Sequence, residues 1–360
     1  MMILLMAACV DRVFIDIPVP DNFPLVVDGL ITDQPGPYTV ELTKGFDIES
    51  KSSVKTYISA SRVVISDNAG NSEVLTEKSQ GVYQTSVNGI RGKAGRVYTL
   101  RVELLDGRVY ESKPDSMAAP GQMERVYFQY NETRNNDGSL AYGFDVLFDA
   151  NASELPIYNF LWKFNGTFQV ETNPERFTRP CGEARCPAPL PCSGYVLGPG
   201  GLTFVAPCEC CTCWVNFFGD LPVVSDGQFN QAGRFIGIRG GYVPITQWTF
   251  QHKVHVAIEQ LSLSRNAFAF WRAVRIQKEA VNNIFQPVTG KIPGNMVQVA
   301  GNPAPVEGLF YAAAVSSASV YITPNDIPNP IVIPPQELVY ANSCTTLFPN
   351  SSTTKPDYWE

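Results

Sequence analysis

The sequence contains no run approaching the roughly 18 consecutive apolar residues that a helix needs to cross a bilayer, which excludes a helical membrane protein. Charge is also scarce. Asp, Glu, Lys and Arg make up 17% of the 360 residues, against roughly 25% in average domains, and the formal net charge is −7. Without a Lys/Arg cluster the chain lacks the electrostatic footprint of a nucleic-acid binder, so no nucleic-acid partner is expected. Only two histidines occur, His252 and His255. Three positions apart on a strand, they project to opposite faces and would not share a metal. No G-x-S-x-G elbow, P-loop or H-E-x-x-H motif appears, and nothing selects a catalytic pair from the 34 acidic residues. The reading is therefore non-enzymatic, with no cofactor.

Cysteine is absent from residue 10 to residue 180 and then abundant. Cys181, Cys186, Cys192, Cys208, Cys210, Cys211 and Cys213 crowd into one Pro- and Gly-rich segment, and Cys344 lies near the end. With Cys9 set aside, these are eight, an even number. Such clustering suits an exported protein, because reducing cytosol rarely allows structural disulfides. All eight are disulfide candidates, and adjacent Cys210 and Cys211 are expected to take different partners, since they point to opposite sides of an extended chain. The competing reading is a soft-metal site of Cys208, Cys210, Cys211 and Cys213, four thiols within six positions. That run lacks the C-x₂-C pairs of ordinary zinc modules.

The N-terminus reads Met1-Met-Ile-Leu-Leu-Met-Ala-Ala8 before Cys9. A short apolar run, two small residues and a cysteine make a bacterial lipobox, in which the thiol receives diacylglycerol and several acyl chains then hold the protein at a membrane. No Lys or Arg opens the run and it is short, so residues 1–9 are read as a truncated lipoprotein signal with Cys9 as the lipidation site.

Residues 10–23 form a linker. Residues 24–112 alternate apolar and polar side chains in about seven short strands, the pattern of an immunoglobulin-like β-sandwich. The clearest is Arg96–Leu105, with Tyr98, Leu100, Val102 and Leu104 on one face and Asp106-Gly107 turning the chain back. Residues 113–123 read as a connector. A second β-rich, α+β domain over 124–345 carries the Cys-rich insertion at about 175–215. Its strands include Tyr142–Phe148, Tyr158–Phe164, Thr246–Ile258, Leu309–Val315 and Ser319–Ile322. One amphipathic helix, capped by Ser264 and ending at Gln286-Pro287, carries an aromatic stripe with Phe270 and Trp271, read as core packing. Residues 346–360 form a tail. The fold class is mainly β.

Several segments, in order along most of the chain, carry a resemblance. They are Leu25–Asp33 with Gly36-Pro37-Tyr38, Gly81-Val82-Tyr83, Gly95–Leu100, Ser262–Trp271, Gly294-Asn295-Met296 and Gly308–Ala312. The chain resembles the Bacteroidota outer-membrane lipoproteins grouped as domain of unknown function 4249. The resemblance implies an outer-membrane, lipid-anchored protein, facing the surface or the periplasm, that partners a TonB-dependent outer-membrane β-barrel in nutrient uptake. It assigns no catalytic residues. Cell-surface adhesion and metal capture through the cysteine cluster are the alternative functions.

Overall fold

The computed structural model describes residues 23–45, 55–134, 137–152, 159–225, 230–231, 233–281, 291–328 and 340–359, and the chain is mainly β. Among the described residues, no helix is long and apolar enough to cross a membrane.

The Val97–Leu104 strand buries every second residue, as its alternation requires. It pairs antiparallel with Ala60–Asp67 and with Val109–Ser112, the latter across the Asp106-Gly107 turn. This sheet packs face to face on another containing Leu25–Thr32 and Thr39–Lys44. Val63, Ile65, Leu100 and Val102 from one meet Val27, Ile31, Val40 and Leu42 from the other, and all eight are buried. That is the first sandwich and the first core.

Two of its strands come from beyond residue 290. Met296–Ala300 adds to Val109–Ser112, and Val306–Ile322 runs parallel to Leu25–Thr32, a pairing that no local hairpin could make. The seam is tight. Gly308 sits at φ +101°, and a Cβ there would meet the Val27 carbonyl at 1.9 Å; one at Gly294 would meet the Gly308 carbonyl at 1.8 Å. Between them Asn295 clamps Phe310, accepting its N–H at 3.0 Å and donating to its carbonyl at 2.6 Å. The Gly294-Asn295-Met296 and Gly308–Ala312 segments are thus two sides of one joint.

The Val306 strand is continuous over 17 residues, where the sequence suggests two strands. Its far half pairs with Val254–Ser262, which pairs with Phe160–Glu171, and that in turn with Thr212–Phe218. Opposite lie Gln122–Arg134, Leu140–Asn151 and Arg234–Pro244. The second core between them is aromatic, with Phe160, Trp162 and Phe235 in mutual ring contact and Phe148 against Trp162. One expected strand is shorter than its pattern. Thr246–Lys253 is a turn, held by the Thr246 amide donating to the Thr249 hydroxyl at 3.0 Å and that hydroxyl donating to the Pro244 carbonyl at 2.6 Å. Extended pairing begins only at Val254.

The helix, α1, spans Arg265–Val281. Ser264 caps it by accepting the Ala267 amide at 3.1 Å. Its expected end at Gln286-Pro287 lies outside the described residues. Through Ala267, Phe268 and Trp271, α1 packs on the outer face of the long sheet, against Leu161, Leu261, Leu309 and Tyr311. Residues 113–123 are anchored rather than free: Asp115 is 2% exposed and Met117 belongs to the first core.

All eight cysteines from Cys181 onward are paired, as Cys181–Cys186, Cys192–Cys210, Cys208–Cys211 and Cys213–Cys344. Cys210 and Cys211 do take different partners. The arm from Pro174 to Pro207 holds only small hairpins and short 3-10 turns, so covalent links order what it cannot bury.

Candidate functional site

The candidate lipidation site, Cys9, lies outside the described residues. The eight other cysteines stand in the disulfide arm and its link to the C-terminal segment. Because Cys208, Cys210, Cys211 and Cys213 are consumed by three different disulfides, the alternative soft-metal centre has no free thiolate in this structure. The two histidines also part company. His252 precedes the strand and meets Glu171 at 3.1 Å, whereas His255 is buried and stacks on Tyr358 at 4.4 Å between ring centroids. Burial, then the Lys253 ammonium, push the His255 pKa below its ordinary value.

The geometry points instead to a cleft beside α1. Three adjoining cavities, of about 350, 210 and 610 Å³, run from the first sandwich to the second. Lys163 and Trp271 line both the first and the second, while Phe164 and the 218–222 loop line both the second and the third. The loop projects because the strands at Thr212–Phe218 and Val223–Val224 both pair with Phe160–Glu171 but leave Lys163 and Phe164 between them.

At the first-sandwich end, Asp28 and Glu41 are direct cross-strand neighbours. Like charges so placed destabilise a sheet, by about 0.2–1 kcal/mol. Lys55 offsets part of this with an ion pair to Glu41 at 3.0 Å. Asp28 is open to the cleft, yet the walls strip water from its carboxyl and, with Glu41 adding like charge, raise its pKa. Lys163 stands opposite Glu259 on the neighbouring strand. Burial lowers its pKa, against the upward pull of Glu259 and Asp28. Tyr311, 2% exposed, lines the same cavity, and burial together with the Asp28 charge holds its phenol protonated far above its usual range. Its ring meets the Trp271 indole edge-on at 6.0 Å between centroids.

Motif reading did not select Asp28, Glu41 or Lys163, and it assigned Trp271 to the core. Trp271 does pack there, but half-buried and bordering two cavities. The signal was a lone charge inside an apolar strand. Asp28 interrupts Leu25-Val-Val and Gly-Leu-Ile31, and Lys163 interrupts Phe160-Leu-Trp and Phe164.

Fold and cleft together define a two-sandwich β protein with a disulfide-stapled arm and a side-chain-lined groove along one helix. The chain belongs to the family described as Domain of unknown function (DUF4249), whose model matches residues 11–319, a span that includes the residues lining the cleft. No curated protein and no solved structure matches the chain.

Proposed function

We propose that this is a non-enzymatic cell-envelope lipoprotein, anchored in the outer membrane through lipid on Cys9, that binds ligand in the α1 cleft as the accessory partner of a TonB-dependent outer-membrane β-barrel. The observation that carries it is the complete pairing of the eight cysteines after Cys9, since four disulfides in one chain belong to an oxidising compartment. The apolar, small-residue lead into Cys9 supplies the anchor, and the cleft supplies a place for cargo. An epitope-tagged chain should bring a TonB-dependent barrel out of gently solubilised outer membranes, and Cys9→Ala should lose both radioactive palmitate and the membrane fraction. Recovery of the protein alone across growth conditions, or equal labelling of the variant, overturns the reading.

One observation favours the alternative, surface adhesion. The hairpin of Tyr195–Gly198 and Gly201–Phe204 exposes Leu197 (52%) and Phe204 (60%), and no charged residue occurs from Pro187 to Pro207. Such a tip suits contact with another surface. Binding of purified protein to cells without any barrel partner would support it.

A further inference from the structure

We propose that the hairpin of Tyr195–Gly198 and Gly201–Phe204 inserts into the interfacial layer of a lipid bilayer, a membrane contact separate from lipid on Cys9. Large hydrophobic side chains stand exposed at several places among the described residues, but elsewhere only singly or in twos. Five fall together here: Val196, Leu197, Leu202, Phe204 and Val205, each 43–60% exposed. Scattered apolar residues need no explanation, whereas a cluster does. The hairpin is a two-stranded sheet of its own, and none of its side chains joins a hydrophobic core. Its Gly-Pro-Gly-Gly turn also stands clear, since a Cβ at Gly200 or Gly201 would meet nothing within 4 Å. The shape is nevertheless set in advance. Tyr195 packs edge-on to Phe204 at 5.5 Å between ring centroids, and the Cys192–Cys210 bridge closes the base.

Charge, size and sidedness select lipid over a protein partner. No charged residue occurs from Pro187 to Pro207, in a chain that is 17% charged. Protein interfaces surround their apolar centre with a polar rim, whereas every charge carried into a bilayer is costly. Two four-residue strands fall far short of the roughly 20–30 residues a side that a stable protein interface uses. Membrane binding has no such threshold and grows with the apolar area buried. Strand pairing puts Tyr195, Leu197, Leu202 and Phe204 on one face, while Val196 is exposed on the other. A docked protein would cover one face and leave the other wet; a bilayer surrounds both. Depth is limited by the backbone. The outer N–H and C=O groups of the two strands have no further strand to pair with among the described residues, and hydrocarbon would leave them unsatisfied. The hairpin therefore rests at the boundary of headgroups and acyl chains, where a tyrosine such as Tyr195 is favoured. Together with lipid on Cys9 it gives two attachment points and so fixes which side of the chain faces the membrane.

The test sediments the purified full chain carrying Cys9→Ala, so that no acyl chain contributes, with phosphatidylcholine vesicles. Saturable partition is expected, and because it is apolar, about 0.5 M sodium chloride should not weaken it. Leu197→Glu combined with Phe204→Glu should weaken it at least about tenfold, with the thermal midpoint and all four disulfides retained. Leu105→Glu, at an exposed apolar residue of the first sandwich, should leave it unchanged. Phe204→Trp should add a blue-shifted emission on vesicles that brominated lipid quenches. The inference is overturned by no partition up to millimolar lipid, by partition that salt abolishes, or by absence of that quenching. It is equally overturned if the double variant partitions like the parent or if Leu105→Glu weakens binding as much. Binding to cells, or a dimer in solution, that the double variant loses while vesicles stay unbound assigns the hairpin to a protein or glycan partner and also overturns it. Palmitate on Cys9 and copurification of a barrel are separate readouts. Either one without vesicle binding leaves the envelope reading standing and removes only this inference.

Discussion

Ser264 donates its hydroxyl to Asp115 at 2.5 Å across 149 positions of sequence, while the other oxygen of the same carboxylate accepts the Ala312 amide at 2.9 Å. One buried acid thus fastens the cap of α1 to the seam where the first sandwich meets the Val306 strand. The helix that walls the cleft is positioned from the first sandwich, not only from the sheet beneath it.

Asp115→Ala should therefore destabilise the chain by about 1–3 kcal/mol, because the Ala312 amide loses its acceptor in the interior. Ser264→Ala should cost about 1 kcal/mol, and the double variant less than the sum. Burial raises the Asp115 pKa, more than its two hydrogen bonds lower it. With the folded value raised, its contribution is fullest below the unfolded value of about 3.9 and declines as pH rises through the folded one. Urea midpoints of parent and Asp115→Asn should accordingly converge or cross as pH rises above about 4. Curves that stay parallel over that window would contradict this.

Asp28→Asn should act in the opposite sense on stability. Removing one of two facing carboxylates should raise stability at neutral pH by about 0.2–1 kcal/mol. Because the folded pKa of Asp28 is raised, its ionised form is the costly one. The gain should vanish below about pH 3.9, where the parent is protonated in both states. Melting curves at pH 3.5 and pH 7.5 check it. Stability gained together with ligand affinity lost would mark Asp28 as a position kept for binding.

The Cys213–Cys344 bridge closes a sequence separation of 131 and draws the C-terminal segment onto the Thr212 strand. Replacing both cysteines with serine should lower stability by about 2–5 kcal/mol in the chain-entropy account of cross-linking. The loss should show as a lower denaturant midpoint, accompanied by release of Ser351–Ser352 from the sheet edge. Alkylation of the unfolded, unreduced parent should modify none of the eight cysteines after Cys9. Alkylation at Cys208 or Cys211 would contradict the pairing.

Local chemistry was legible in the sequence. The alternation at Tyr98, Leu100, Val102 and Leu104, the Asp106-Gly107 turn, the Ser264 cap and the divergent partners of Cys210 and Cys211 all follow from neighbouring residues. What depends on distant residues was not. Leu309–Ala314 is buried without alternation because both faces of that strand are covered. Phe310, Ala312 and Ala314 face the first core, and Leu309, Tyr311 and Ala313 face α1. The run therefore reads as a short strand of its own. Phe250 and His252 mimic a strand although threonine hydroxyls hold their segment in a turn. Asp115 looks like part of a connector until Ala312 and Ser264 are seen beside it. The cleft is hardest to read, since Asp28, Lys163 and Trp271 come from three distant segments that only the sheet order brings together.

Parallel alignment of the Leu25 and Val306 strands has a consequence for biosynthesis. The opening module cannot finish assembling until synthesis has passed Val306, because the parallel neighbour of its first strand begins only there. A product cut short before residue 306 would present a bare, sticky flank along Leu25–Thr32. Any chaperone that holds the unfinished chain would therefore be guarding the first strand until the Val306 strand arrives.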